Sequence, residues 1–144
     1  MYQNLDAKAG LDLLMTAKYM ERIGDHAADI SEMTILMDGK SPVKKFDHIQ
    51  KMAAETVIML NQSIEAYVQK DREKAKEVIA RDDVVDGLFD DVKTDIMDLI
   101  QKDRGDGEEA LDMLMVAKYF ERIGDHATNI AEWVIYSLKT TEEE

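Results

Sequence analysis

The chain has 144 residues, enough for one small domain with a modest core, and 45% of them are hydrophobic. It contains no cysteine, which excludes disulfides and thiolate metal sites, and no uncharged apolar run of the roughly 18 residues that a membrane span needs. A net charge of −13 argues against direct nucleic-acid binding and suits cation binding or a basic protein partner. The N-terminus shows no signal-peptide pattern, so we expect a cytoplasmic protein.

The first half of the chain predicts two long helices. Apolar residues recur at helical spacing and proline is nearly absent, which favours helix over strand. The first helix is predicted over Asp6–Asp38, with Gly39 as its C-terminal stop. Ser41 and Pro42 suit the cap and first turn of a second helix over Val43–Lys70.

Two more helices are predicted in the second half. Asp71 is a plausible N-cap for a third helix that runs to about Lys102. The segment Asp103–Gly107 is the clearest loop, and a fourth helix is predicted over Gly107–Leu138, followed by a frayed acidic tail at 140–144. Four long helices with short connections predict an all-α protein in an antiparallel four-helix arrangement.

A ten-residue motif occurs twice, at Lys18–Ala27 and at Lys118–Ala127, 100 positions apart. Aligning Leu11–Glu32 on Leu111–Glu132 gives 16 identities in 22 positions. A repeat of this quality at a fixed offset indicates duplicated structural units.

Each copy of the motif places oxygen ligands along one helix face. With Glu121 at zero on a helical wheel, Asp125 lies about 40° away and Asn129 about 80° away. The first copy repeats these positions with Glu21, Asp25 and Asp29. Ile123 and Ala127 point to the opposite side, which we take as the core face, and Gly124 beside the acids leaves room for a close approach to the helix.

The third helix carries a second pair of acids, Asp82 and Asp86, four residues apart on one face. If these meet Glu121 and Asp125 from a neighbouring helix, four carboxylates converge and repel each other unless a cation neutralises them. Oxygen ligands without cysteine favour a hard or borderline cation. The alternative is that the acids form a solvated face and bind nothing.

The basic residues of the motif are predicted to have structural roles. His26 and His126 lie about 140° from the motif glutamate on the wheel, so we expect them to bond a neighbouring backbone or carboxylate rather than a metal. Arg22 and Arg122 are expected to pair with nearby acids, with phosphate binding as the alternative. His48 has no partner that the sequence identifies.

Catalytic motifs are not found in the sequence. There is no nucleophile motif, no glycine-rich phosphate loop and no Glu-x-x-His of the kind that di-iron bundles use. We therefore expect a protein that is not an enzyme, with metal-dependent phosphate hydrolysis as a less favoured alternative.

The string Tyr119–Glu132 resembles the signature of the PhoU family, and the run Asp71–Leu88 resembles that family's middle helix. The resemblance implies a regulator of phosphate uptake and phosphate signalling, built from two three-helix repeats. In such proteins, paired acidic motifs hold a multinuclear metal cluster, often iron or zinc.

The resemblance also implies which residues bind metal. Matched position by position, residues 41–144 form a complete second repeat, and residues 1–40 form the last helix of an incomplete first repeat. The residues matching the metal-binding positions of the complete repeat are Asp82, Asp86, Glu121, Asp125 and Asn129. Their counterparts Glu21, Asp25 and Asp29 form half a site.

The resemblance further implies partners. It predicts an adaptor that restrains the phosphate ABC transporter and a sensor histidine kinase when phosphate is plentiful. Because the first helix would expose an apolar face, we also expect a homo-oligomer in which this helix packs on a second chain. A structural helical bundle that binds no metal is the main alternative.

Overall fold

The structure, a computed structural model, describes residues 2–36, 47–102 and 107–143, and the side chains of 7–30, 47–102 and 107–139. These ranges form four α-helices and contain no strand, which confirms the all-α prediction. The helices are α1 (Tyr2–Leu36), α2 (Asp47–Gln69), α3 (Arg72–Lys102) and α4 (Gly107–Glu143).

The turn between α2 and α3 shows how local sequence ends one helix and begins the next. Lys70 has a φ of 53°, a left-handed conformation that usually falls to glycine, and the Asp71 N–H donates to the Ala66 carbonyl at 3.0 Å. The carboxylate Oδ1 of Asp71 accepts the Lys74 N–H at 3.1 Å. Asp71 is therefore the N-cap of α3, as the sequence predicts.

The other predicted boundaries have mixed outcomes. The helix signals Gly39, Ser41 and Pro42 and the loop at 103–106 lie outside the described residues. The prediction of a frayed tail after Leu138 is wrong, because α4 continues to Glu143. No glycine or proline follows Leu138 in the sequence, so nothing local breaks the helix there.

The main core lies between α2, α3 and α4. Its fully buried side chains include Met52 and Met59 of α2, Val85 of α3 and Met113 of α4. Each such side chain stabilises the fold by about 1.5–3 kcal/mol relative to an exposed position. The predicted core face of α4 is confirmed, since its residues Ile123, Ala127 and Ile130 are all buried.

Polar contacts also join α2 to α3. His48 Nδ1 lies 2.6 Å from Asp95 Oδ2, and His48 Nε2 lies 3.9 Å from an Asp91 carboxylate oxygen. Nearer the middle of the two helices, Arg81 pairs with Glu55 at 3.0 Å. His48 thus has partners that the sequence does not reveal.

The first helix packs antiparallel on α4. Lys8 Nζ donates to the Ser137 carbonyl at 2.7 Å. One turn further along α1, Asp12 accepts hydrogen bonds from Trp133 Nε1 and Ser137 Oγ, both at 2.7 Å. These contacts tie the start of α1 to the end of α4.

The two copies of the repeated helix are covered differently. In α4, Met113 is fully buried and Phe120 is partly buried against the core. Their counterparts in α1, Leu13 and Met20, are 60% and 44% exposed. In α4, this face packs against α2 and α3. The corresponding face of α1 is therefore exposed in the described part of the chain.

Candidate metal centre

Four carboxylates converge where α3 lies beside α4. Asp82 and Asp86 face this contact from α3, and Glu121 and Asp125 face it from α4, close enough to influence one another's ionisation. The sequence analysis left open whether these two acid pairs meet, and the structure brings them together.

Gly124 lies where α2 and α3 both pack against α4. A Cβ built at Gly124 would lie 3.7 Å from Val85 Cγ1 of α3 and 3.7 Å from Met59 Sδ of α2. The sequence predicted that small residues beside the acids leave room for an approach. The structure shows that α2 and α3 themselves occupy this room.

The carboxylates are poorly stabilised as anions. Burial, the largest cause, and nearby negative charges, among them Asp86, Asp125 and Glu121, together raise the pKa of Asp82 to about 6. One oxygen, Asp82 Oδ1, is buried and has no hydrogen-bond partner in the described part of the chain. Such a group favours either a proton or a cation.

The same causes act on the two more exposed acids. Burial raises the pKa of Asp86 and of Asp125, and the charge of Glu121 raises both further. The Lys118 ammonium partly offsets this at Asp125. The four groups therefore behave as one cluster of repelling charges, which we call the acid cluster.

Lys118 is a member of this site that the sequence analysis missed. Its Nζ lies 2.9 Å from Glu121 Oε1 and 5.4 Å from the centre of the Phe89 ring. The spacing of three residues between Lys118 and Glu121 is the signal that would have found it. The Lys118 ammonium therefore supplies positive charge at the edge of this group of acids.

The donor chemistry fits a hard or borderline metal ion, but the side chains are not gathered around one point. Within 7–30, 47–102 and 107–139, no three His, Asp or Glu side chains are placed to hold a metal ion together. The orphaned Asp82 oxygen and the four carboxylates supply suitable ligands. In the described structure one of these ligand oxygens, Glu121 Oε1, is paired with Lys118.

The other predicted ligands lie outside this cluster or at its edge. Asn129 is half-buried one turn beyond Asp125 on α4. In the first copy, Glu21 and Asp25 are exposed and Asp29 is half-buried. Because α3 packs on α4 rather than on α1, the acids of α3 lie beside the second copy of the motif and not beside the first.

The two motif histidines contact each other. The rings of His26 and His126 stack with centroids 5.4 Å apart and an interplanar angle of 4°. Each also contacts the tyrosine of the other copy: Tyr19 lies 6.2 Å from His126, and Tyr119 lies 5.8 Å from His26. The prediction that they bond a backbone or carboxylate is wrong for Nδ1, because both Nδ1 atoms are buried without a hydrogen-bond partner in the described residues.

The motif arginines flank this histidine pair. Burial lowers the pKa of His126, and the nearby positive groups His26, Arg22 and Arg122 lower it further. Arg122 also lies 5.9 Å from the centre of the Tyr119 ring. Neither arginine forms an ion pair within the ranges the structure describes, contrary to the sequence prediction.

These features define a class of protein: an all-α bundle with a repeated helical motif and an acid cluster between two of its helices. Comparison with known proteins agrees with this class. The sequence profile of the PhoU domain matches residues 1–34 and 49–134, so the chain belongs to the PhoU family.

Individual relatives carry names from phosphate transport. A phosphate-specific transport system accessory protein PhoU homolog of Clostridium acetobutylicum is 35% identical over 119 residues, which cover 83% of this chain and 54% of that protein. A homolog of the same name from Synechocystis is 35% identical over 132 residues, covering 91% and 58%. The chain thus spans about half the length of the curated relatives it matches.

A solved structure shows the same fold. The crystal structure of PhoU from Pseudomonas aeruginosa matches with a TM-score of 0.84 at 26% identity, covering 94% of this chain and 65% of that chain. No helix in the described ranges contains an apolar stretch long enough to cross a membrane.

Proposed function

We propose that this protein regulates phosphate uptake and phosphate signalling as a metal-binding adaptor. Its membership of the PhoU family and the names of its relatives support a role with the phosphate transport system. The observation that carries the metal-binding part is the acid cluster, in which four carboxylates meet and one buried oxygen has no partner. No enzymatic step is part of this proposal.

In the proposed complex, Asp82, Asp86, Glu121 and Asp125 hold the metal, with Asn129 at the edge. The bound metal, iron or zinc in one or more ions, supplies positive charge that relieves the repulsion between the carboxylates. The metal then fixes α3 against α4 and makes the outer surface of these helices dependent on metal occupancy.

The proposed partners are the phosphate ABC transporter and a sensor histidine kinase in the cytoplasm, which the adaptor restrains when phosphate is plentiful. The charge of −13 supports contact with basic patches on such partners and disfavours direct contact with nucleic acid. On this proposal the protein acts at the membrane through its partners and does not insert into it.

Two other functions remain as alternatives. A helical interaction protein without metal would leave the acid cluster as a half-solvated face, and the present spread of the carboxylates favours this reading over hydrolysis. A metal-dependent phosphate hydrolase would need an open metal position and a general base. A phosphatase assay on the metal-loaded protein tests that alternative.

The experiment is elemental mass spectrometry on the protein purified without chelators and on the Asp82→Ala, Glu121→Ala double variant. We expect bound iron, zinc or manganese that is lost in the variant. A matched control is the Glu21→Ala, Asp25→Ala double variant, which removes two carboxylates from the half site and should keep the metal. Wild-type protein without metal, even after reconstitution, would overturn the metal-binding part of the proposal.

We also propose that residues 41–144 act as one complete repeat and that residues 1–40 extend it as a single helix of a further repeat. The uncovered face of α1, with Leu13 and Met20, then packs on a second copy of this chain. Small-angle scattering at high protein concentration tests this: we expect a dimer or larger assembly, and a monomeric profile would refute it.

A further inference from the structure

A half-open cavity of about 190 Å³ lies where the start of α1 meets the ends of α2 and α4. Its wall is mainly apolar and includes the rings of Tyr67 from α2 and Trp133 from α4. The charged side chains that line it are Lys8, Asp12 and Lys70. The acid cluster contributes no residue to this wall, so the cavity is separate from the candidate metal centre.

The protein holds the aromatic part of the wall in place. Trp133 Nε1 donates to Asp12 Oδ1 at 2.7 Å, and the indole ring lies 5.3 Å from the ring of Tyr136. The other oxygen of Asp12 accepts the Ser137 hydroxyl at 2.7 Å. A ring surface that is fixed before a ligand arrives loses little entropy on binding and suits contact with a flat apolar group.

Lys70 brings an ammonium group to the cavity on an unfavourable backbone. Its φ of 53° lies in the left-handed region, where glycine is the usual residue at a helix end. The side chain is exposed and forms no ion pair within the ranges described. Non-glycine residues in such conformations cluster at ligand sites. A lysine at a position that suits glycine therefore indicates a use for its side chain.

The size and charge of the cavity define the ligand that fits. An apolar cavity of about 150 Å³ holds one benzene ring, so this cavity admits a single ring with a small substituent and excludes a nucleotide. Two lysines and one aspartate in the wall favour a negatively charged ligand. Because Asp12 is in the same wall, it repels a carboxylate less than the nearly double charge of a phosphate group.

We propose that this cavity binds a small single-ring aromatic carboxylate. The ring lies against Trp133 and Tyr67, and the carboxylate accepts from the Lys70 ammonium. Such a ligand contacts α1, α2 and α4 together, so it holds α1 against α2 as well as against α4. The inference depends neither on metal binding nor on the proposed function.

The experiment is titration of the full chain with benzoate, benzyl alcohol and benzylamine, which share one ring and differ in charge, at constant ionic strength. Trp133 is the only tryptophan of the chain, so its fluorescence reports on the cavity directly, and calorimetry gives a second readout. We expect saturable binding of benzoate, binding of the neutral alcohol that is weaker by about fivefold, and no saturable binding of the amine.

Variants of Lys70 separate a ligand contact from a structural role. Lys70→Gln should weaken benzoate binding about fivefold and leave binding of benzyl alcohol unchanged. Lys70→Gly should raise the melting temperature, because glycine adopts a positive φ freely, and should still weaken benzoate binding. The control Lys51→Gln removes an exposed charge near the other end of α2 and should bind benzoate as the wild type does.

A further variant tests the location of the ligand. Ala9 is exposed and lines the cavity, so Ala9→Phe should fill the space and abolish binding of benzoate and of benzyl alcohol without lowering the melting temperature. Benzoate binding that persists in Ala9→Phe or is unchanged in Lys70→Gln would overturn the proposal. Absence of saturable benzoate binding, or tighter binding of benzylamine, would overturn it equally.

Discussion

His26 and His126 occupy the same position in two copies of one motif, and their rings stack on each other at 5.4 Å. Because each ring also contacts the tyrosine of the opposite copy, the repeat is related to itself by an approximate two-fold axis between α1 and α4. Only the second copy, in α4, packs against both α2 and α3. Nearly the same sequence is therefore buried in one copy and more exposed in the other. This asymmetry allows several matched experiments.

Replacing the N-cap of α3 should destabilise the protein. Asp71→Ala removes the side-chain acceptor for the Lys74 N–H and should lower the free energy of unfolding by about 1 kcal/mol, measured by urea denaturation. Asp71→Ser keeps a capping oxygen and should stay within a few tenths of a kcal/mol of wild type. An Ala variant as stable as the Ser variant would show that the cap contributes nothing.

The two motif glycines should tolerate a large side chain differently. Gly124→Leu forces a side chain between Met59 and Val85 and should cost about 1–3 kcal/mol of unfolding free energy. Gly24→Leu has open space in the described structure and should cost far less. Gly124→Ala should be neutral or stabilising, because its Cβ sits at ordinary contact distance and alanine favours helix by about 0.5–1 kcal/mol.

Thermal denaturation of these glycine variants provides the comparison. Equal losses in Gly24→Leu and Gly124→Leu would contradict the asymmetry of the two copies in a monomer. If a second copy covers α1 as proposed, Gly24→Leu should instead weaken the assembly, which scattering would detect.

The metal-free protein should become less stable as the pH rises through the range of the acid cluster. Asp82 has a pKa of about 6 in the folded state and an ordinary value of 3.8, so the folded state binds more protons between these limits. The free energy of unfolding therefore falls as pH rises from about 4 to about 6, and the penalty persists at higher pH. Asp86 and Asp125 act in the same direction.

The difference between wild type and Asp82→Asn isolates this effect from other titrating groups. We would measure melting temperatures without metal between pH 4 and pH 7. The melting temperature of the variant should rise relative to that of wild type as the pH rises. Asp83→Asn, at the exposed neighbouring position, should gain less. A constant difference across the range would show that Asp82 titrates normally.

Removing the ammonium that competes for Glu121 should tighten metal binding. Lys118→Gln frees Glu121 Oε1 and leaves the carboxylate repulsion to be relieved by a metal alone. We expect metal affinity to rise several-fold, read from the metal-induced increase in melting temperature. Lys18→Gln changes the equivalent lysine of α1, which is exposed, and is expected to leave affinity unchanged. Equal affinities in all three proteins would contradict the proposed competition.

Local features of the sequence were enough to predict the helices and the acidic residues that share one face of α3 or α4. The Asp71 cap and the core face at Ile123 and Ala127 depend on neighbours within two turns, which the sequence lists in order. Short loops favour an antiparallel pairing of two such helices, which allows Asp82 to meet Asp125. Charge and spacing therefore identify the four acids as candidates, but they establish neither the meeting of the acids nor the position of Lys118 beside them.

Only the tertiary structure decided which copy of the motif is buried and what its histidines contact. Leu13 and Met113 have almost the same local sequence around them, yet one is 60% exposed and the other fully buried. The pairing of His48 with Asp95 and the stacking of His26 on His126 join residues far apart in the chain. Such contacts depend on the register and rotation of whole helices, which the packing of all four together sets, so no local pattern specifies them.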